Sequence, residues 1–91
     1  MWRVYIVQCN DGSYYTGITV DLEERLNRHN EGRGSLYTKQ RRPVQLKYLE
    51  KFETREKARN REIEIKDFSI KNKEKLILRG RGERFPSARI I

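Results

Sequence analysis

Five side chains have the types and spacing to do chemistry: Tyr5, Tyr15, Arg25, His29 and Glu62. Arg25 and Glu62 interrupt apolar helical patterns. At ~100° of rotation per residue, Arg25 falls within ~60° of Leu22, on the edge of the stripe that should face a sheet. By the same rotation Glu62 falls ~40° from Ala58 and ~60° from Ile65. A guanidinium and a carboxylate on inward stripes cost free energy unless they are paired or face a solvated cleft. Two arrangements meet that condition. Arg25 pairs with Glu62 or with a neighbour such as Asp21, or Arg25 binds an anion while Glu62 binds a metal. Tyr5 and Tyr15 lie on the two arms of an expected hairpin and can point from one face, as packed aromatics or as part of a site. His29 follows Arg25 by four residues on the same helical face. It is a structural side chain near a helix end, or a general base or phosphate donor.

The elements that must position these groups are legible from periodicity. Trp2 to Cys9 alternates as a strand. Asn10-Asp11-Gly12-Ser13 is a turn, with Gly12 supplying positive φ. Tyr14-Tyr15-Thr16 is the return strand, ended by Gly17. Thr19 caps a helix from about Val20, with Leu22, Leu26 and His29 on one face and Asp21, Glu23 and Glu24 at its positive end. Residues 31–43 form a loop. Val44, Leu46, Tyr48 and Phe52 mark a third strand by alternation. Thr54 caps a helix to about Asp67, and a shorter helix covers Asn72 to Leu78. The order β-β-α-β-α-α gives an α+β domain, a small sheet covered by helices, over residues 1–78. Residues 79–91 read as a basic, flexible tail.

Composition narrows the function class. The chain's 91 residues suit one small domain. Hydrophobic residues are 35% and charged residues 37%, close to the disordered regime, but the apolar residues are grouped in periodic runs. No stretch approaches the ~20 apolar residues of a membrane-spanning helix. Met1-Trp2-Arg3 leads directly into a strand-like run with no signal-peptide pattern. The single Cys9 gives neither a disulfide framework nor a cysteine-based zinc site, so a reducing, cytoplasmic setting is expected. A net charge of +8 points to a polyanion, most often nucleic acid. That charge is uneven: residues 1–30 carry a net −1, residues 31–50 +3 and residues 51–91 +6. The later segments suit a phosphate backbone, and the nearly neutral first thirty residues hold most of the chemistry.

The spacing resembles a known family. Val4-Tyr5-Ile6, Tyr15-Thr16-Gly17, Arg25 ten residues after Tyr15, and Glu62 within Ala58-Arg-Asn-Arg-Glu62-Ile-Glu-Ile-Lys66 are similar to the GIY-YIG nuclease superfamily. The likeness is to its small stand-alone bacterial members and runs from about Trp2 to Ile77. Asp11 to Gly17, His29-Asn30, Tyr37-Thr38 and Arg42-Pro43 look like the same subfamily. The name-giving triplets read Arg3-Val4-Tyr5 and Tyr15-Thr16-Gly17, which keep both tyrosines and the glycine. Asn72 stands as a candidate for a late asparagine seen in some relatives.

The resemblance implies a three-stranded antiparallel sheet flanked by helices and a phosphodiester hydrolase acting on DNA. It implies one divalent cation, usually magnesium, held by Glu62, an ion that tolerates one carboxylate plus water. Arg25 would clamp a phosphate oxygen. Tyr5 would take or relay the proton of the attacking water while Tyr15 orients it. A tyrosine of pKa ~10 is a poor base at neutral pH, so His29 stands as the other base. Arg33, Lys39, Arg41 and Arg42 around Tyr37 suit backbone contact and base stacking. Arg79, Arg81, Arg84 and Arg89 add charge behind them. With no appended binding domain, cleavage is expected to be structure-dependent or weakly selective, with a protein partner as one route to targeting. The alternative is a nucleic-acid-binding module, for DNA or RNA, that is inactive or needs a partner.

Overall fold

β1 is the strand around which everything packs: Val4, Tyr5, Ile6 and Val7 are all fully buried, so both of its faces are covered. The computed structural model describes residues 1–79 and contains β1 (Trp2–Gln8), β2 (Tyr14–Thr19), α1 (Leu22–Asn30), α2 (Leu36–Lys39), β3 (Gln45–Phe52), α3 (Arg55–Lys66) and α4 (Ile70–Arg79). The strands form one sheet in the order β2-β1-β3, with both pairings antiparallel. The expected α+β class and three-stranded antiparallel sheet are therefore present. Arg81, Arg84 and Arg89 lie outside the described residues, as does the tail from residue 80.

Side-chain alternation sorts the core into two layers. Tyr5, Val7 and Cys9 face one way and pack with Leu26 of α1 and with Val44, Leu46 and Leu49. Val4 and Ile6 face the other way and pack with Tyr48, Ala58, Ile65 and Leu76 from β3, α3 and α4. The hairpin turn behaves as expected. Gly12 has φ 87°, and Asp11 accepts hydrogen bonds from the Ser13 backbone and hydroxyl.

Five expectations need correction. Gly17 does not end β2, which continues to Thr19. Gly17 stands opposite Tyr5 in the ladder, and a Cβ there would lie 2.4 Å from the Tyr5 hydroxyl oxygen. Glycine at this point marks a close approach across the sheet. Thr19 remains in the strand and does not cap α1. Asp21 does, accepting from the Glu24 N–H at 3.1 Å, while Thr19 Oγ1 holds the Asp21 backbone.

The loop over residues 31–43 contains α2, a single turn closed by a reciprocal capping box between Ser35 and Thr38. Glycines on its N-terminal side hid so short a helix from any periodicity. The fourth correction concerns β3, whose alternation is broken by a bulge opposite Ile6 and Val7. Val44 and Leu46 therefore share a face with Leu49, whereas Tyr48 points into the other layer. α3 follows the expected Thr54 cap, and α4 begins at Ile70, earlier than expected, and takes in Arg79.

Gly17→Ala should force the Tyr5 ring out of place and destabilise the domain by about 1–3 kcal/mol, the usual cost of overpacking. Urea unfolding measures this, and a change below about 0.5 kcal/mol would show that the Tyr5 ring has room to yield.

Candidate active site

Tyr5 rises from β1, leans over Gly17 of β2 and reaches α1. Its hydroxyl lies 2.9 Å from His29 Nε2. On the far side of the imidazole, Nδ1 lies 2.7 Å from Thr38 Oγ1 on α2. Tyr5, His29 and Thr38 are all buried, so β1, α1 and α2 meet in one polar chain inside the apolar layer. Burial, followed by the facing Tyr15, pushes the Tyr5 phenol far above its ordinary range, with Arg25 acting in the opposite sense. Burial and then the Arg25 charge lower His29 to about 4. Both groups are neutral at neutral pH.

Tyr15 is on the same sheet face, one step diagonally from Tyr5. Its ring meets His29 edge-on at 5.3 Å and stacks with Tyr37 at 6.1 Å. Arg41 covers the Tyr37 ring at 4.0 Å, donates to the Tyr37 carbonyl and pairs with Asp11 of the hairpin turn at 3.0 Å. Tyr15 is thus braced by an aromatic and a cation that are themselves tied back to the β1–β2 turn.

Arg25 sits at the edge of the α1 stripe, as the rotation implies, beside Tyr5 and His29. Its Nε is buried without a hydrogen-bond partner. Glu62 lies in the buried stripe of α3 between Ala58 and Ile65 and is 5% exposed. Its two oxygens are held at 3.1 Å by Arg59 Nη1 and by Lys66 Nζ from its own helix. Among the described residues no ion pair joins Arg25 to Glu62 or to Asp21. Lys66 Nζ also lies 6.0 Å from the Tyr15 ring, and the Glu62 charge acts on Tyr5. Two phenols, a neutral imidazole and a guanidinium with an unused donor therefore lie together, with the Glu62 carboxylate within electrostatic reach, a set suited to a bound anion and proton transfer.

The GIY-YIG catalytic domain family matches residues 1–75 of this chain. The chain belongs to the GIY-YIG nuclease family. A UPF0213 protein of Staphylococcus saprophyticus is 56% identical over 77 residues, covering 85% of this chain and 94% of the relative. One from Staphylococcus epidermidis is 51% identical over the same shares. The solution NMR structure of a UPF0213 protein from Bacillus halodurans is 41% identical with a TM-score of 0.57, over 89% of this chain and 88% of that one. The chain spans most of the length of each of these relatives.

Not every residue singled out in the sequence gathers at this GIY-YIG cleft. Arg41 and Tyr37 flank Tyr15. Arg42 is turned to the backbone, donating to the Lys39 and Asn30 carbonyls at 3.1 Å, and Arg33 pairs with Glu31. Lys39 is exposed. Asn72 stands apart, lining a cavity of about 280 Å³ with Arg61, Phe68 and Lys75. Among the described residues, no helix is long and apolar enough to cross a membrane.

Thr38, Gly34 and Gly17 escaped sequence reasoning as site residues. A Cβ at Gly34 would lie 2.2 Å from His29 Nδ1, so this glycine lets the chain pass against the imidazole. Glycine's usual signal is a turn, and neither Gly17 nor Gly34 has positive φ. The available clue to Thr38 was the Ser35-to-Thr38 spacing of a cap.

Because the folded His29 pKa lies below the unfolded value of ~6.5, its contribution is fully present above pH ~6.5 and is lost as pH falls towards 4. Between pH 7 and pH 5 the wild type should lose about 2 kcal/mol that His29→Gln does not lose. Urea unfolding of both at the two pH values checks this, and parallel losses would contradict it.

Proposed function

We propose that this GIY-YIG domain hydrolyses phosphodiester bonds of DNA with a divalent cation, magnesium, held at Glu62. The observation that carries the reading is the buried, unpartnered Arg25 Nε beside Tyr5 and His29. A buried donor without an acceptor is costly. A phosphate oxygen would satisfy it and place a phosphorus next to both phenols.

Glu62 fits a magnesium ion on specific terms. Among the described residues no group of three or more His, Cys, Asp or Glu side chains could hold a metal ion, so a site at Glu62 is a sparse one. Magnesium keeps several waters and accepts a substrate oxygen, which suits so sparse a site. Arg59 and Lys66 now hold both Glu62 oxygens, and each has about half its side chain in solvent (55% and 48% exposed), leaving it free to swing aside. When bound, the cation supplies charge stabilisation at the leaving oxygen.

The protein's own groups divide the remaining work. Arg25 donates to a phosphate oxygen and neutralises the charge that builds on it. Water attacks phosphorus and gives its proton to the Tyr5 oxygen as the Tyr5 phenolic proton moves to His29 Nε2. This coupled transfer avoids a free tyrosinate, which burial makes inaccessible. Burial chiefly weakens His29 as a base, and the phosphate charge against Arg25 offsets the part that the Arg25 field adds. Tyr15, braced by Tyr37 and Arg41, orients the water or the phosphate. The bond to the leaving sugar oxygen breaks, and that oxygen takes a proton from solvent. Lys39 and the Arg41 edge offer backbone contacts, and the chain's high positive charge supports a polyanionic substrate. Weakly selective or structure-dependent action follows from the absence of base-reading elements among the described residues.

A second reading is a module that binds nucleic acid without cutting it. The ion pairs of Glu62 to Arg59 and Lys66 favour it, since they stabilise the carboxylate without a metal.

A panel of single-stranded, duplex, flap and four-way DNA, with RNA alongside, separates the two. Wild type with magnesium should cleave at least one DNA substrate, and Glu62→Ala and Tyr5→Phe should each lower the rate at least about 100-fold. Binding without cleavage on every substrate, or equal activity in the variants, would sink the nuclease reading.

A further inference from the structure

The hydroxyl of Tyr5 is buried, and its hydrogen-bonding partner with a lone pair to offer is His29 Nε2 at 2.9 Å. The other neighbour of that oxygen, the Arg25 guanidinium, has only donors. The phenolic proton is therefore satisfied when Nε2 is bare. A neutral imidazole with Nε2 bare carries its proton on Nδ1, and that proton needs an acceptor. Thr38 Oγ1, 2.7 Å away, is placed to be one.

The surroundings of Thr38 are built for that role. Its oxygen lies 3.3 Å from the Ser35 carbonyl, to which its own proton can go. The Ser35 N–H approaches the same oxygen at 3.3 Å, while Ser35 Oγ accepts from the Thr38 N–H at 3.1 Å. The capping box of α2 thus offers the hydroxyl proton two acceptors other than His29, the Ser35 carbonyl and Ser35 Oγ at 3.1 Å, and a proton given to either would leave a lone pair for Nδ1. Gly34 keeps this flank of the imidazole free of a side chain.

We infer that Thr38 is a positioning residue that fixes His29 as its Nδ1–H tautomer, so that Nε2 stands ready for the Tyr5 phenolic proton. The catalytic half of this inference rests on the proposed hydrolase reading, whereas the tautomer does not. It also assigns α2 a purpose: the helix is one turn long because its cap is the part that matters. A hydroxyl at this position acts through His29 and never touches substrate, as outer partners do for other functional histidines.

The test uses the full chain with ¹⁵N-labelled histidine, in which His29 is the sole histidine. Imidazole nitrogen shifts and their couplings to ring protons distinguish the two tautomers directly. Wild type should show Nδ1 protonated and Nε2 bare, Thr38→Val should shift His29 towards the other tautomer, and Thr38→Ser should restore it. On the substrate the wild type cuts, Thr38→Val should lower kcat about 10–100-fold with KM little changed, and Thr38→Ser should stay within a few-fold. A wild type with the proton on Nε2, or a Thr38→Val spectrum like wild type, overturns the inference. So does a tautomer shift that leaves kcat unchanged. Should Thr38→Val fail to fold, the wild-type tautomer and the Thr38→Ser spectrum still decide it. If the wild type cuts nothing, the hydrolase reading falls, and the spectra alone decide whether Thr38 sets the tautomer.

Discussion

Tyr5 can cross its own sheet only because the residue opposite it has no side chain. Its ring lies over Gly17 and carries the phenol to α1, where it meets His29. That one close approach fixes much of what surrounds it. His29 must sit at the C-terminal end of α1, which puts Arg25 one turn earlier on the same edge. The chain leaving α1 must pass against the imidazole, which Gly34 permits, and α2 must then return a hydroxyl to Nδ1. Tyr15 needs no such accommodation, because strand alternation already places it on the same face.

The electrostatics follow from the same burial. Desolvation moves the phenol and the imidazole in opposite directions, each towards its neutral form. The two neutral groups share one hydrogen bond. Arg25 lies beside them with its Nε unpartnered. Glu62 is on the other helix layer, and its charge is balanced within α3 by Arg59 and Lys66. In the proposed reaction an arriving phosphate would complete Arg25 and offset its field on His29, which adds to the larger effect of burial. On the proposed reading, the substrate itself raises the basicity of the group that receives the proton.

Much of this was legible in the sequence, for identifiable reasons. The strands announce themselves by alternation and the helices by caps and stripes. Arg25 and Glu62 stood out because a charge on an inward stripe violates the pattern its neighbours set. The sequence left open whether those two pair with each other. Among the described residues neither pairing forms, and Glu62 is instead held by its i−3 and i+4 neighbours Arg59 and Lys66. The rest depended on non-local contacts. A glycine in a strand looks like a terminator until the residue opposite is known, and a bulge in β3 cannot be seen from alternation alone. Thr38 belongs to the same class: nine residues from His29, in a segment too short to show a period, it carries no local sign of its partner.

Whether Tyr5 and His29 act as one proton-transferring unit is decided by a double-mutant cycle on the cleavage rate. Residues that act as a unit show strongly non-additive losses. Tyr5→Phe combined with His29→Gln should be no slower than the slower single variant. Losses that multiply, each residue contributing its full factor in the absence of the other, would contradict it.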